Sequence, residues 1–153
     1  MRVLIANRHL GPIHDLLETM SLKPAQSRAR SKLLELVKNA QLRFGQDEYD
    51  LVTTHAILDE EGKPVISEDG TFQLTGGTDL AEFLTLREQL LDSVAEVDGP
   101  TYATHLTDIA QLLADYDEPL AGEQPEAYNV LFDAVEAAQH DAVRTAEVGD
   151  TDE

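Results

Sequence analysis

The 153-residue sequence contains no cysteine, no tryptophan, few other aromatic residues and no long apolar run. Without cysteine the chain cannot form disulfides or thiolate centres, which excludes a small secreted disulfide scaffold. No apolar run approaches the roughly 18 residues needed to cross a bilayer. The apolar start at residues 3–6 is too short for the hydrophobic region of a signal peptide. We therefore expect a cytoplasmic protein, or part of a particle assembled in the cytoplasm, without membrane contact.

Positive charge is scarce after the first third of the chain. Residues 1–45 carry eight Lys and Arg against three Asp and Glu, whereas residues 46–153 carry three against twenty-seven. The formal net charge is −19. Such segregation indicates electrostatic partners rather than a particular chemistry.

The apolar fraction of 42% is sufficient for a core, which must consist mainly of Leu, Val, Ile and Ala because aromatics make up only 5%. Leu and Ala favour helix. Gly11-Pro12 is expected to end a first strand and to open a helix. Apolar residues then recur at helical spacing, which predicts four further helices; these cover residues 25–44, 79–97, 105–116 and 125–142. Gly45 is expected to end the first of these four.

Residues 2–6 read as a short strand, and residues 54–75 read as three short strands joined by acidic, glycine-containing turns. These segments predict a small antiparallel sheet. We therefore predict a mainly helical α+β protein with a single domain over residues 1–144, followed by an acidic, disordered tail over residues 145–153.

Catalytic and metal-binding patterns are missing. The five histidines lack the spacings of a zinc site, and the acidic turns at residues 59–61 and 68–69 lack the alternation of a calcium loop. There is no nucleophile elbow, phosphate-binding loop or dinucleotide fingerprint. We expect a protein that is not an enzyme and that needs no metal or cofactor.

The helix predicted at residues 25–44 has a basic flank, formed by Arg28, Lys32 and Arg43. These cations are expected either to bind phosphate or to pair with the chain's own carboxylates. The flank lacks the interleaved aromatic residues of a single-strand platform, so direct nucleic-acid binding is not expected.

Two segments resemble a known family. These are residues 27–36 (SRARSKLLEL), which open the long helix, and the acidic turn at residues 59–65 (DEEGKPV). With the order of elements over about residues 2–140, they resemble small proteins of tailed phages and prophages of Gram-positive bacteria, known only as a domain of unknown function. The resemblance implies a phage origin and a non-catalytic interaction role, and it brings no substrate, cofactor or catalytic residue.

Two functions are left open. The first is an acidic module that binds a basic surface of a host or phage protein, and that inhibits a nucleic-acid-handling or defence protein by presenting carboxylates in place of phosphates. The second is an assembly or accessory protein of the virion or tail. The acidic face is expected after residue 79, with eight candidate carboxylates: Glu82, Glu88, Asp92, Asp108, Asp115, Asp117, Glu118 and Glu123.

Overall fold

The sheet joins the N-terminus to the middle of the chain. In the computed structural model, which describes residues 1–76 and 79–149, strand β1 (Arg2–Ala6) pairs antiparallel with strand β2 (Val94–Asp98). Val3 lies opposite Val97, and both side chains are buried on the inner face. The helices are α1 (Asn7–Thr19), α2 (Pro24–His55), α3 (Leu80–Asp92), α4 (His105–Asp115) and α5 (Gln124–Gly149). The predicted α+β class, mainly helical with a small antiparallel sheet, is confirmed.

The partner of β1 differs from the prediction. The helix predicted over residues 79–97 ends at Asp92, and the backbone N–H of Ser93 donates to the carbonyls of Gln89 and Leu90. The residues that follow form β2, in which Val94 is exposed and Val97 is buried. The valines of β2 are β-branched and favour a strand, and pairing with β1 satisfies their backbone groups. Helical spacing alone did not distinguish the two elements.

The predicted hairpins are present but do not join this sheet. Residues 56–74 form three isolated antiparallel bridges, Ala56 with Leu74, Leu58 with Pro64, and Ile66 with Phe72. Gly62 and Gly70 adopt positive φ values of 80° and 82°, as their acidic turns predict. The prediction that residues 54–75 pair with residues 2–6 is therefore wrong.

Three helix ends also differ. Helix α1 begins at Asn7, so Gly11 and Pro12 lie inside it rather than before it. Helix α2 continues through Gly45 to His55, because one interior glycine costs only about 1 kcal/mol and a long helix tolerates it. Helix α5 reaches Gly149, so residues 145–149 of the predicted disordered tail are helical. Residues 150–153 of that tail lie outside the described residues.

The chain divides into two compact units. Unit 1 contains residues 1–41 and the residues from 94 onward, and unit 2 contains residues 42–93. The core of unit 1 is formed by side chains from β1, β2, α1, α4, α5 and the first half of α2. In unit 2, Ala56 and Phe83 are the buried apolar residues within the described part of the chain. That the units form one domain stays a prediction.

Candidate binding surfaces

The eight predicted carboxylates are divided between the two units. Glu82, Glu88 and Asp92 lie on α3 in unit 2, whereas the other five lie in unit 1, on α4 or in the loop between α4 and α5. Asp108 is half-buried and the others are exposed. A continuous acidic face over all eight stays a prediction, but the structure does bring three of them together.

Those three carboxylates line a polar cleft in unit 1. The cleft has a volume of about 500 Å³. We call it the acidic cleft, and its lining residues are Ser21, Leu22, Lys23, Gln26, Asp115, Tyr116, Asp117 and Glu118. One wall is the loop that follows α4. Helix α4 ends at Asp115, and Tyr116, the next residue, has an extended backbone conformation. The other wall is the α1–α2 connection and the first turn of α2.

The electrostatics of the acidic cleft favour a cationic ligand. Burial raises the pKa of Tyr116, and the carboxylates of Glu118 and Asp117 raise it further. Asp115 accepts hydrogen bonds from the amide of Gln111, with both N–O distances at 2.9 Å. Asp117 and Glu118 form no ion pair with any residue that the structure describes. Their charges are therefore available to a partner.

Among the described residues, no group of three or more His, Asp or Glu side chains is arranged to hold a metal. The ammonium group of a lysine or the guanidinium of an arginine needs no such convergence, since it can pair with one carboxylate at a time. The cleft is thus suited to basic side chains.

The cations of the predicted basic flank make separate contacts. The guanidinium of Arg28 lies over the ring of Tyr102, 5.0 Å from the ring centroid. Burial raises the pKa of Tyr102, the hydrogen bond and charge of Asp108 raise it further, and the charge of Arg28 opposes them. Lys32 pairs with Glu35 at 3.7 Å, and Arg43 belongs to unit 2 and has an interaction of its own. Lys32 thus pairs with a carboxylate of the chain itself, whereas Arg28 contacts an aromatic ring, and the choice between the two predicted alternatives stays a prediction.

The sequence did not reveal two polar residues that form hydrogen bonds inside unit 1. Arg30 donates to the carbonyls of Leu17 and Met20 at the end of α1. His105 is fully buried, with Nε2 at 2.9 Å from the carbonyl of Ala29 and Nδ1 at 2.8 Å from the hydroxyl of Thr101. The spacing of His105 does indicate burial, since His105 lies on the same helical face as Ile109 and Leu113.

Unit 2 presents a different surface, which we call the apolar groove. It consists of two adjoining depressions of about 210 and 280 Å³. Both are lined by Glu48, Val52 and Phe72. The remaining lining residues are Leu51, Phe83 and Arg87 in one depression, and Gly45, Tyr49, Pro64 and Ile66 in the other. Positions 45, 48, 49 and 52 lie on one face of α2, which forms the floor.

The chain belongs to a family of proteins of unknown function, DUF1617, whose family model matches residues 1–140. No curated protein and no solved structure matches it. Among the described residues, no helix is both long and apolar enough to span a membrane. Because the function of the family is unknown, membership indicates no substrate, ligand or partner for this chain.

Proposed function

We propose that this chain is a non-catalytic, acidic protein-binding module that docks on a basic surface of a host or phage protein. The observation that carries the proposal is the acidic cleft, where Asp117 and Glu118 keep charges that no described residue pairs. The net charge of −19 supports the same partner, because it attracts basic surfaces over several ångströms and speeds encounter.

The partner class we propose is a nucleic-acid-handling or defence protein. Such proteins present Lys and Arg to phosphates, and a surface rich in carboxylates competes for those cations. The module would then inhibit by occupying the nucleic-acid site. The resemblance of residues 27–36 and 59–65 to phage and prophage proteins supports an origin in a phage of Gram-positive bacteria, and hence action in the host cytoplasm.

The test reverses the charges of the acidic cleft. We expect a triple variant, Asp115→Lys, Asp117→Lys and Glu118→Lys, to lower the association rate with a basic partner by about 10-fold or more at low salt. These side chains are exposed, so the fold should persist. Lys32→Glu is a control for reversal of an exposed charge outside the cleft, and it should not lower the association rate.

The measurement is a pull-down of basic proteins from a Gram-positive host, followed by kinetics with and without competitor DNA. Mimicry predicts that DNA displaces the captured protein and that salt weakens binding. Wild-type affinity of the triple variant at both low and high salt would overturn the proposal.

A second candidate function is an accessory role in virion or tail assembly. It is favoured by the exposed apolar residues of unit 2, including Ile57, Leu58, Val65 and Ile66, because assembly proteins bury such surfaces against neighbouring subunits. Mass spectrometry of purified particles separates the two functions. A stoichiometric amount of this chain in the particle would favour assembly, whereas its confinement to infected-cell cytoplasm would favour the binding module.

A further inference from the structure

Unit 2 has a much smaller core than unit 1. Of the buried apolar residues in the described part of the chain, twenty belong to unit 1 and two, Ala56 and Phe83, belong to unit 2. The rings of Phe72 and His55 meet that of Phe83 edge-on, with centroids 5.5 and 5.8 Å away. Phe72 and His55 are themselves only half-buried. The core of unit 2 is therefore centred on one aromatic cluster around Phe83.

A core of this size offsets little conformational entropy. Each residue that becomes ordered loses conformational freedom, and burial of apolar surface has to compensate for that loss. Unit 2 orders residues 42–93 around two buried apolar side chains in its described part. A unit of fewer than about 70–80 residues is marginally stable even with an ordinary core. We therefore expect unit 2 to be much less stable than unit 1.

The hairpins of unit 2 place their backbone hydrogen bonds near solvent. The N–H of Ile57 donates to the carbonyl of Gln73 at 2.8 Å, and the N–H of Val65 donates to the carbonyl of Ile57 at 2.9 Å. All three residues are exposed. Solvent-exposed backbone hydrogen bonds combined with few buried apolar side chains are characteristic of segments that open locally.

Like charges are denser in unit 2 than in unit 1. Residues 42–93 contain twelve Asp and Glu against three Lys and Arg, so they carry −9 of the total of −19, and the rest of the chain carries −10 over about twice the length. Lys63 lies 3.7 Å from Glu61, and Arg87 lies 3.9 Å from Glu48. Exposed pairs of this kind stabilise a fold only slightly. Repulsion among the other carboxylates opposes the compact state.

Unit 1 has a core that is independent of these residues. Its buried apolar residues lie between Val3 and Ala40 and between Val97 and Ala138, so none of them comes from residues 42–93. The chain enters unit 2 within α2 and leaves it at Ser93, just before β2. When unit 2 opens, it becomes a loop between α2 and β2, and the entropic cost of closing a loop rises only slowly with its length.

We infer that unit 2 opens cooperatively while unit 1 stays folded. The aromatic cluster makes the opening cooperative, because it joins His55 of α2, Phe72 of the hairpins and Phe83 of α3. Helix α2 thus has a stable first half and a second half that unfolds together with the hairpins and α3. A partner that binds only closed unit 2 shifts this equilibrium toward the closed form. The inference does not depend on the proposed function, since residues of unit 1 line the acidic cleft.

Amide hydrogen exchange of the full chain, followed residue by residue by NMR, tests the inference. We expect residues 47–52 to exchange at least about 100-fold faster, relative to their rates in an unfolded chain, than residues 33–40 of the same helix. Fraying of α2 would give a gradient that is steepest at His55. Cooperative opening instead gives residues 47–52, Ile57 and Val65 a common opening constant.

A matched pair of variants separates the two units. Phe83→Leu and Ile109→Val each shorten a buried side chain, the first in unit 2 and the second in unit 1. Phe83→Leu should speed exchange throughout unit 2 by about fivefold and leave residues 33–40 within about twofold of wild type. Ile109→Val should have the reverse effect, because exchange in unit 2 is governed by its own opening.

Digestion of the native protein with trypsin supplies a second measurement. Lys38 in α2 and Arg87 in α3 are both helical, and their side chains are similarly exposed, at 51% and 46%. We expect cleavage after Arg87 to be at least about tenfold faster, because cleavage within a helix follows the population of its opened form. Equal cleavage rates at the two sites, equal protection of residues 33–40 and 47–52, or an equal effect of Phe83→Leu on both units would overturn the inference. The two units would then fold as one cooperative domain.

Discussion

His105 is a buried polar side chain whose two ring nitrogens are both hydrogen-bonded. A carbonyl can only accept, so Nε2 carries the proton that is donated to Ala29, and Nδ1 accepts from the Thr101 hydroxyl. The ring also lies 4.9 Å from that of Tyr102, measured between centroids. These contacts connect the start of α4 to α2 within unit 1.

We expect His105→Phe to lower the free energy of unfolding by about 1–3 kcal/mol, because a ring of similar shape cannot replace the two hydrogen bonds. Urea denaturation followed by circular dichroism measures this loss. His140→Phe is the control, since the His140 side chain is 75% exposed and its replacement should change little. Equal denaturation midpoints for the two variants would contradict the role assigned to His105.

His14 should make stability depend on pH. Its hydrogen bond to Gln41 raises the pKa above 6.5, burial opposes this, and Glu18 raises the pKa further. The protonated ring is therefore favoured in the folded state, and its contribution is complete below pH 6.5. That contribution is lost as the pH rises through the higher folded pKa.

The urea midpoint of wild type should consequently fall between about pH 6 and about pH 8 by more than that of His14→Gln. The comparison with the variant removes the pH dependence that other groups contribute. Parallel midpoints for the two proteins over this interval would show that His14 does not stabilise the fold through its charge.

At the scale of elements, the helices differ in how firmly they are buried. Leu33 of α2 is completely buried in unit 1, whereas Leu90 of α3 is only half-buried in unit 2. We expect Leu33→Asp to abolish cooperative folding of unit 1, because an unpaired carboxylate in an apolar core costs several kcal/mol. Leu90→Asp should cost less. Thermal melts of both variants test this order, and a wild-type melt for Leu33→Asp would remove α2 from the core.

Sequence periodicity located the elements better than it located their ends. The apolar face of residues 29–40 and that of α4 are regular over several turns, so both helices were predictable. The α3–β2 boundary was not, because Leu90, Leu91, Val94 and Val97 continue a helical spacing although the last two lie in a strand. Pairing with β1 determines where α3 ends and β2 begins. This pairing joins residues about ninety positions apart, so local spacing does not reveal it.

The candidate surfaces were only partly predictable for the same reason. Sequence analysis named Asp115, Asp117 and Glu118, which lie close together along the chain and share the acidic cleft. It did not identify the apolar groove, because the groove combines one face of α2 with residues from the hairpins and α3. Whether an apolar hairpin residue such as Ile66 is exposed or buried depends on the tertiary structure.

At the scale of the whole molecule, many Lys and Arg side chains of the first third of the chain contact other residues of the same chain. Arg2 pairs with Glu96, Arg28 stacks on Tyr102, and Lys38 lies 4.0 Å from Glu18. The carboxylates after residue 45 outnumber the remaining cations. The segregation seen in the sequence thus becomes a molecule whose uncompensated charge is negative.

Self-repulsion among these carboxylates should make the fold sensitive to salt. We expect the melting temperature to rise as NaCl increases from about 0.02 M to about 0.5 M, because the Debye length shrinks and like charges are screened. Scanning calorimetry at constant pH measures the shift. A melting temperature that falls with salt would mean that attractive ion pairs outweigh the repulsion.

The pairing of β1 with β2 has a consequence for how the protein is made. Translation adds about 5–20 residues per second, so β1 leaves the ribosome about 5–20 seconds before its partner strand exists. Until then the backbone groups of β1 have no partner strand, and Val3 and Ile5 also lack helix α5, which packs on β1 in the folded chain. Completion of unit 1 is therefore a late, long-range step whose rate is limited by topology, and the nascent chain is most open to premature association in that interval.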